Sequence, residues 1–505
     1  MRYRYRQTAF LLWSWTTLVT SELTVIKLPA DLKDARGPID SSFPGFAFEQ
    51  ASFYDYAFER GKPNTFSQNL IKSVLHRTGG TPLLRVGGTS GDHAIYNKDQ
   101  EDAVSCSSTV CGPMMSQDQQ LSVGPSYFDA FKNFPGAKFE FMVPFERQNL
   151  ANTLEWTAAG LKAIGKKALY ALEIGNEPDF YNPFVLKDYL ANWQKFLDAM
   201  LKQHPNLHKK RIFQALDIAS REKPLATEDA FDQGLQQDEK HIKQVAYHYY
   251  QGMAPESYDE LKQWILHTNT TERLSVHEDN IKYLKANQKH IGYVLSEVAD
   301  NLGGGNGVLA YRNSLATAIW AIDFQLHAMT IGVDRVNFQQ IYKPGFCMWE
   351  PTASEHWGVP KPMVRPNYYA QPFVADFIGK GGKTTVVSIL QDCPHLAAYA
   401  AYTKGKLARI ALINVNLWKE GDGERGQADF DLQDLPIKRG KATLSHLNSP
   451  HGALAETDLT WKGLEWTFDS GGKEKKVKDD SEKLDFEDCR LSVSVDDASA
   501  VMIEF

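Results

Sequence analysis

Two glutamates end apolar runs where a buried strand should be running out. Glu177 follows "ALYALEIGN" and is itself followed by Pro178, and Glu297 lies inside "GYVLSEVA". A lone carboxylate in such a place is costly unless it is hydrogen-bonded or its pKa has moved. A facing pair of carboxylates about 5–5.5 Å apart is what a retaining glycosidase needs. One attacks the anomeric carbon and the other handles the proton. Glu297 reads as the nucleophile, kept ionised by a hydroxyl donor, for which Tyr249 is the candidate. Glu177 reads as the acid/base, its pKa raised by burial and by the other charge. Asn176, beside it, would reach the sugar's 2-hydroxyl, and His248 would support the pair rather than react. For either glutamate alone the competing reading is a solvated rim residue or a structural ion pair. For the whole chain it is a non-catalytic, carbohydrate-binding barrel, which an intact pair disfavours.

Positioning such a pair requires strands that end together. Between residues 43 and 378, short apolar runs alternate with helical stretches. The runs are "FPGFAFE", "PLLRVGG", "KFEFMVP", "ALYALEI", "RIFQALDI", "QVAYHYY", "GYVLSEV" and "DRVNFQQIY". Intervening segments such as "NTLEWTAAGLKAIG" repeat apolar residues at three- and four-residue steps. This predicts an α/β fold, a (β/α)8 TIM barrel, whose chemistry belongs at the C-terminal ends of its strands. The polar groups expected there are Glu49, Asp92, Asn176, Glu177, His248, Tyr249, Glu297, Tyr342 and Lys343. Asp92 could line the pocket or cap the following helix. Lys343 could grip an acidic substrate or be an ordinary exposed lysine. Residues 379–505 change texture to short alternating strands between Gly, Pro, Asp and Lys clusters, predicting an antiparallel β-sandwich. The "LTVIKL" run in segment 22–42 is expected to join that sandwich.

The 505 residues carry a formal net charge of −7, with no basic patch, which argues against a nucleic-acid partner. Residues 1–21 combine Arg2, Arg4 and Arg6 with the apolar "TAFLLWSWTTLV", the pattern of a secretory signal peptide. A secreted, extracellular protein follows as the expectation. No later run is long enough for a membrane span. Cys106 with Cys111, and Cys393 with Cys489, could form disulfides in that compartment, leaving Cys347 as a buried thiol. Asn269 heads the sequon Asn-Thr-Thr in a stretch read as a polar loop. No His or Cys cluster has metal-ligand spacing, so neither a metal nor a cofactor is expected.

"GNEP" at the end of one strand, with a glutamate ending another, resembles the large clan of retaining (β/α)8 glycosidases. Within it, "SFPGFAFEQASF", "PNTFSQNL", "LLRVGGTSGDHAIYN", "HYY" and "LSEVADNLGGGNG" resemble glycoside hydrolase family 79, the β-glucuronidase and heparanase family, and above all its fungal β-glucuronidase-like members. The resemblance implies Glu177 as acid/base and Glu297 as nucleophile. It implies that backbone N–H groups of Gly304 and Gly305, with the Tyr342 hydroxyl, bind the carboxylate of a glucuronate. Glycine permits that close backbone approach to an anion. Glu49 would take hydroxyls on the far side of the ring, and Tyr249 would hold the nucleophile. The expected partner is a glucuronate-containing oligo- or polysaccharide. Exo action, for instance on arabinogalactan side chains, is favoured over heparanase-like endo action. A cleft for heavily sulfated chains would need Lys and Arg near the strand ends, and "KEKKVK" (473–478) lies in the sandwich instead.

Overall fold

The computed structural model describes residues 23–106, 121–219, 224–302, 309–342, 345–353, 359–390 and 392–505. Eight parallel strands close into a barrel: β1 (Pro44–Glu49), β2 (Leu83–Gly87), β3 (Lys138–Val143), β4 (Leu169–Ile174), β5 (Phe213–Ile218), β6 (Ile242–Met253), β7 (Gly292–Leu302) and β8 (Arg335–Gln340). Neighbours in sequence are neighbours in space, and β8 returns to pair with β1. Helices such as Leu150–Ala168, Leu186–Gln203 and Leu315–Ile331 cover the outside. One connection departs from the expected regular alternation. After β2 the described residues form one short helix, Thr89–Asp92, a small three-stranded sheet and then a 3-10 helix, Pro125–Asn133, rather than one long α-helix. Its buried residues Phe128 and Phe131 recur at the three-residue step a 3-10 turn favours.

The barrel is apolar on its outer wall and polar inside. Phe46, Phe48, Leu84, Val86, Phe139, Phe141, Leu172, Phe213 and Val336 join the main hydrophobic cluster beneath the helices. Their alternates face the interior, because successive strand residues point to opposite faces. Branched aliphatics usually fill that space; here Arg85, Glu140, Glu173, Gln214, Gln244, Arg335 and Asn337 do, all essentially inaccessible to solvent. Arg85 pairs with Glu173 and Arg335 with Glu140. Gln244 donates to Glu140 at 2.9 Å and also to Gln214, and Asn337 donates to Glu140 at 2.8 Å. Each buried charge thereby gains a partner, as burial demands.

The last barrel helix ends at Ile378, and Thr384 begins a large, mainly antiparallel sheet. A three-stranded sheet of Thr24–Lys27, Gln427–Gln433 and Leu491–Asp496 packs against it. Their shared core includes Ile26, Phe430, Val493, Ile410 and Val501. The large sheet's other face, with Tyr399, Ala411 and Met502, belongs to the barrel's cluster. Tyr399 donates to Asp323 of helix Leu315–Ile331 at 2.7 Å.

Two expectations about this periphery change. Cys393 and Cys489 are free thiols rather than a disulfide. Cys489 sits in a tight turn with Asp488, both at positive φ, and the two cysteines pack as small apolar groups beside the sandwich core. Asn269 is not in a loop but in helix His267–Ser275, because His267, Thr270 and Leu274 are buried at helical spacing. Cys347 is buried and is not in a disulfide. Cys111 and the expected leader at 1–21 lie outside the described residues. Among the described residues no helix is long and apolar enough to cross a membrane.

Candidate active site

The two glutamates meet at the C-terminal rim. One oxygen of each, together with a ring nitrogen of His248, all lie within 4.8 Å of one another. Glu177 owes its place to an unusual backbone. It has φ 48° and ψ 53°, just after Gly175 at φ 80° and before Pro178. Its N–H donates to the Asp217 carbonyl at 2.9 Å, and its own carbonyl accepts from Phe180 N–H at 2.9 Å. Asp217 reaches that position through a bulge at the end of β5, where Leu216 and Asp217 both take positive φ. On β7 the ladder skips Ser296, so that Tyr247 pairs with Leu295 but His248 with Glu297. A bulge of this kind re-aims side chains beside a site.

The two carboxyls experience opposite fields. Glu297 is buried, which pushes its pKa up. His248, Arg85 and the Tyr250 hydroxyl outweigh that and hold it below the ordinary carboxylate value. Arg85 Nη1 and the Tyr250 hydroxyl each reach the Glu297 carboxylate at 2.5 Å. Glu177 is raised, chiefly by burial and further by the Glu297 charge, although His248 Nδ1 at 3.0 Å pulls the other way. Burial alone would lower His248, but Glu297 and Glu177 together raise it, which favours the imidazolium. Glu297, His248 and Glu177 have the spread of a cation-binding trio, yet the fixed charge of Arg85 already balances the nucleophile.

Around this pair the shell is tightly bonded. Asn176 accepts from Arg85 Nη2 at 2.6 Å, and its backbone N–H donates to Asp92 at 2.8 Å. Asp92 also accepts from Phe145 N–H at 2.8 Å and from the Tyr181 hydroxyl, and burial lifts its pKa to about 6. Glu49 accepts the N–H of Ser90 at 2.9 Å as well as its hydroxyl. Burial, then the nearby Glu297 charge, raises Glu49 to about 8, so it carries its proton at neutral pH.

A low-pKa carboxylate beside a high-pKa one is the electrostatic division that double displacement at a glycoside requires. Residues 398–502 match the model of the glycosyl hydrolase family 79 C-terminal beta domain. A β-glucuronidase of Neurospora crassa is 24% identical, across 96% of this chain and 98% of that protein. One from Aspergillus niger is 26% identical, across 86% and 85%. The chain is a glycoside hydrolase similar to those of family 79. Its fold is also that of a 4-O-α-L-rhamnosyl-β-D-glucuronidase from Fusarium oxysporum 12S, with a TM-score of 0.80 at 17% identity over 95% of this chain and 100% of that one. An α-L-arabinofuranosidase from Thermotoga maritima shares the fold less closely, with a TM-score of 0.60 at 16% identity over 95% and 99%.

In this hydrolase the structure brings Glu49, Asn176, Glu177, His248 and Glu297 together and moves one expected role by a single residue. Tyr250, not Tyr249, bonds Glu297, the expected nucleophile. Side chains on β6 alternate, so His248 and Tyr250 share the inner face while Tyr249 points outward. There Tyr249 packs on Phe324, and its hydroxyl donates to Gln251. Asp92 neither lines the pocket openly nor serves only a helix end; it clamps the loops after β3 and β4 through Phe145 and Asn176. Tyr342 is buried, and its hydroxyl donates to the Thr352 carbonyl at 2.6 Å. Gly304, Gly305 and Lys343 lie outside the described residues. Arg85 escaped the sequence reading altogether. Its signal was a lone arginine in "PLLRVGG" at the same alternate phase as Gly87, on a strand otherwise apolar.

Proposed function

We propose that this hydrolase is a secreted, retaining, exo-acting β-glucuronidase that removes terminal glucuronate, or its 4-O-methyl ether, from glycans. The observation that carries the retaining mechanism is the pair of adjacent rim carboxylates with oppositely shifted pKa values. Ionised Glu297 attacks the anomeric carbon while Glu177 protonates the departing oxygen. Forming the glycosyl ester removes the Glu297 charge that had helped raise Glu177. Glu177 then becomes the stronger base needed to deprotonate the incoming water. Asn176, held by Arg85, is assigned to the 2-hydroxyl, and protonated Glu49 to hydroxyls across the ring. The glucuronate preference is supported by the two fungal relatives and by the resemblance at Gly304, Gly305 and Tyr342. For Tyr342 to bind the uronate, its hydroxyl must turn its proton away from Thr352.

The test is a side-by-side assay on chromogenic β-glucuronide and β-glucoside. Strong preference for the glucuronide is expected, with Tyr342→Phe hurting the glucuronide more. Comparable rates on both substrates would overturn the uronate assignment. Glu297→Ala should lose turnover by at least about 10⁴-fold, and azide should restore it as a glycosyl azide of inverted configuration. Turnover surviving in that variant would rule out Glu297 as the nucleophile.

A further inference from the structure

A cavity of about 610 Å³ opens at the foot of the barrel. It lies at the N-terminal ends of β4, β6, β7 and β8, the opposite end from the catalytic carboxylates. Arg36, Lys243, Lys285 and Arg335 line it against two carboxylates, Asp40 and Asp334. Both carboxylates are engaged with the backbone. Asp334 accepts from Tyr293 N–H and Asp40 from Ser42 N–H, at 2.8 and 2.7 Å. Among the described residues, Arg36, Lys243 and Lys285 form no ion pair. Lys243 instead rests its ammonium 3.6 Å from the centre of the Tyr170 ring, which the Arg335 guanidinium also faces at 4.9 Å. Arg335 is 2% exposed, and its buried Nε has no hydrogen-bond partner.

Burial and neighbouring cations both disfavour the charged lysines here. Burial, then repulsion from Lys138 and Lys210, holds the Lys243 pKa below its ordinary value. Burial, then Arg36, does the same to Lys285, with Asp334 opposing. In a chain of net charge −7, cations that converge in excess of the carboxylates beside them are unfavourable until an anion joins them. The volume is that of a small-ligand pocket rather than a packing gap.

We propose that the foot of the barrel is a second, non-catalytic binding site for a small oxyanion, phosphate or sulfate in chemistry. Lys243 and Lys285 supply movable point charges, and Arg335 supplies a fixed guanidinium below them. The anion is either a free ion or the ester group of a sugar.

Calorimetric titration of the whole protein with inorganic phosphate, inorganic sulfate and glucose 6-sulfate tests this. Saturable binding is expected with Kd on the order of 1 mM. Glycosidase activity is the control, since no residue here belongs to the catalytic machinery. The Lys243→Met/Lys285→Met double variant should weaken binding about tenfold or more with unchanged turnover. Tighter binding of glucose 6-sulfate than of inorganic sulfate assigns the site to an esterified glycan. The reverse order assigns it to the free ion. Failure of all three to saturate, or undiminished binding by the double variant, would overturn the proposal. Thermal unfolding provides a second readout, because a ligand of the native state raises Tm as its concentration grows.

Discussion

At the scale of single residues, the proposed double displacement depends on holding one carboxyl charged and its neighbour protonated. Tyr250 contributes by donating to the ionised form of Glu297, which lowers its pKa. Tyr250→Phe removes that donor, so the nucleophile's pKa rises and the acidic limb of the kcat/KM profile moves to higher pH. A hydrogen bond to a charged group is worth about 1.5–3 kcal/mol, which corresponds to a limb displaced by about 1–2 pH units. Tyr249→Phe, one residue away on the other face of β6, should leave that limb in place. A pH profile of both variants checks the assignment, and displacement in the Tyr249 variant alone would reverse it.

At the scale of elements, bulges and left-handed turns do the aiming. Glu177 and Asp217 both adopt positive φ, and each fixes the other through the N–H to carbonyl bond between them. Gly88 shows how little tolerance remains. It has φ 100°, and a methyl group there would overlap the Glu49 carboxylate. Gly88→Ala should therefore cost about 1–3 kcal/mol of stability and displace Glu49 from Ser90. Denaturant unfolding with kcat measured alongside reads both effects. Unchanged stability and rate would show that the loop after β2 relaxes freely.

At the scale of the whole molecule, the sandwich is part of the barrel's support. Asp323 of the barrel's long helix accepts from Tyr399 of the sandwich and pairs with His267 at 2.9 Å. Burial lowers the His267 pKa, but Asp323 more than offsets it, leaving a net rise above 6.5. A histidine raised in the folded state stabilises fully below its unfolded pKa, and that contribution is lost as pH rises through the folded value. Stability should thus fall as pH climbs above 6.5. His267→Gln should lack this step. Urea unfolding across that window measures it, and identical pH slopes for the two proteins would remove His267 as the cause.

Much of this was legible along the chain. Eight apolar runs at barrel spacing, the change of texture near residue 379, and the glutamates ending two of the runs are local patterns, because burial and strand period act on neighbours in sequence. The same logic could have exposed the polar barrel interior. Arg85, Glu140, Glu173, Gln214 and Gln244 each occupy the inward phase of an apolar strand, but one polar residue per run reads as noise until eight strands face one another. Whether Tyr249 or Tyr250 meets the nucleophile was beyond the sequence. That choice turns on strand phase, and a single bulge, such as the one at Ser296, shifts phase without leaving a mark in composition. The Arg85 contacts with Glu173, Asn176 and Glu297 join three different strands, so only closure of the barrel could decide them. The sequence determined which residues are costly to bury; the tertiary structure decided which partners make that burial possible.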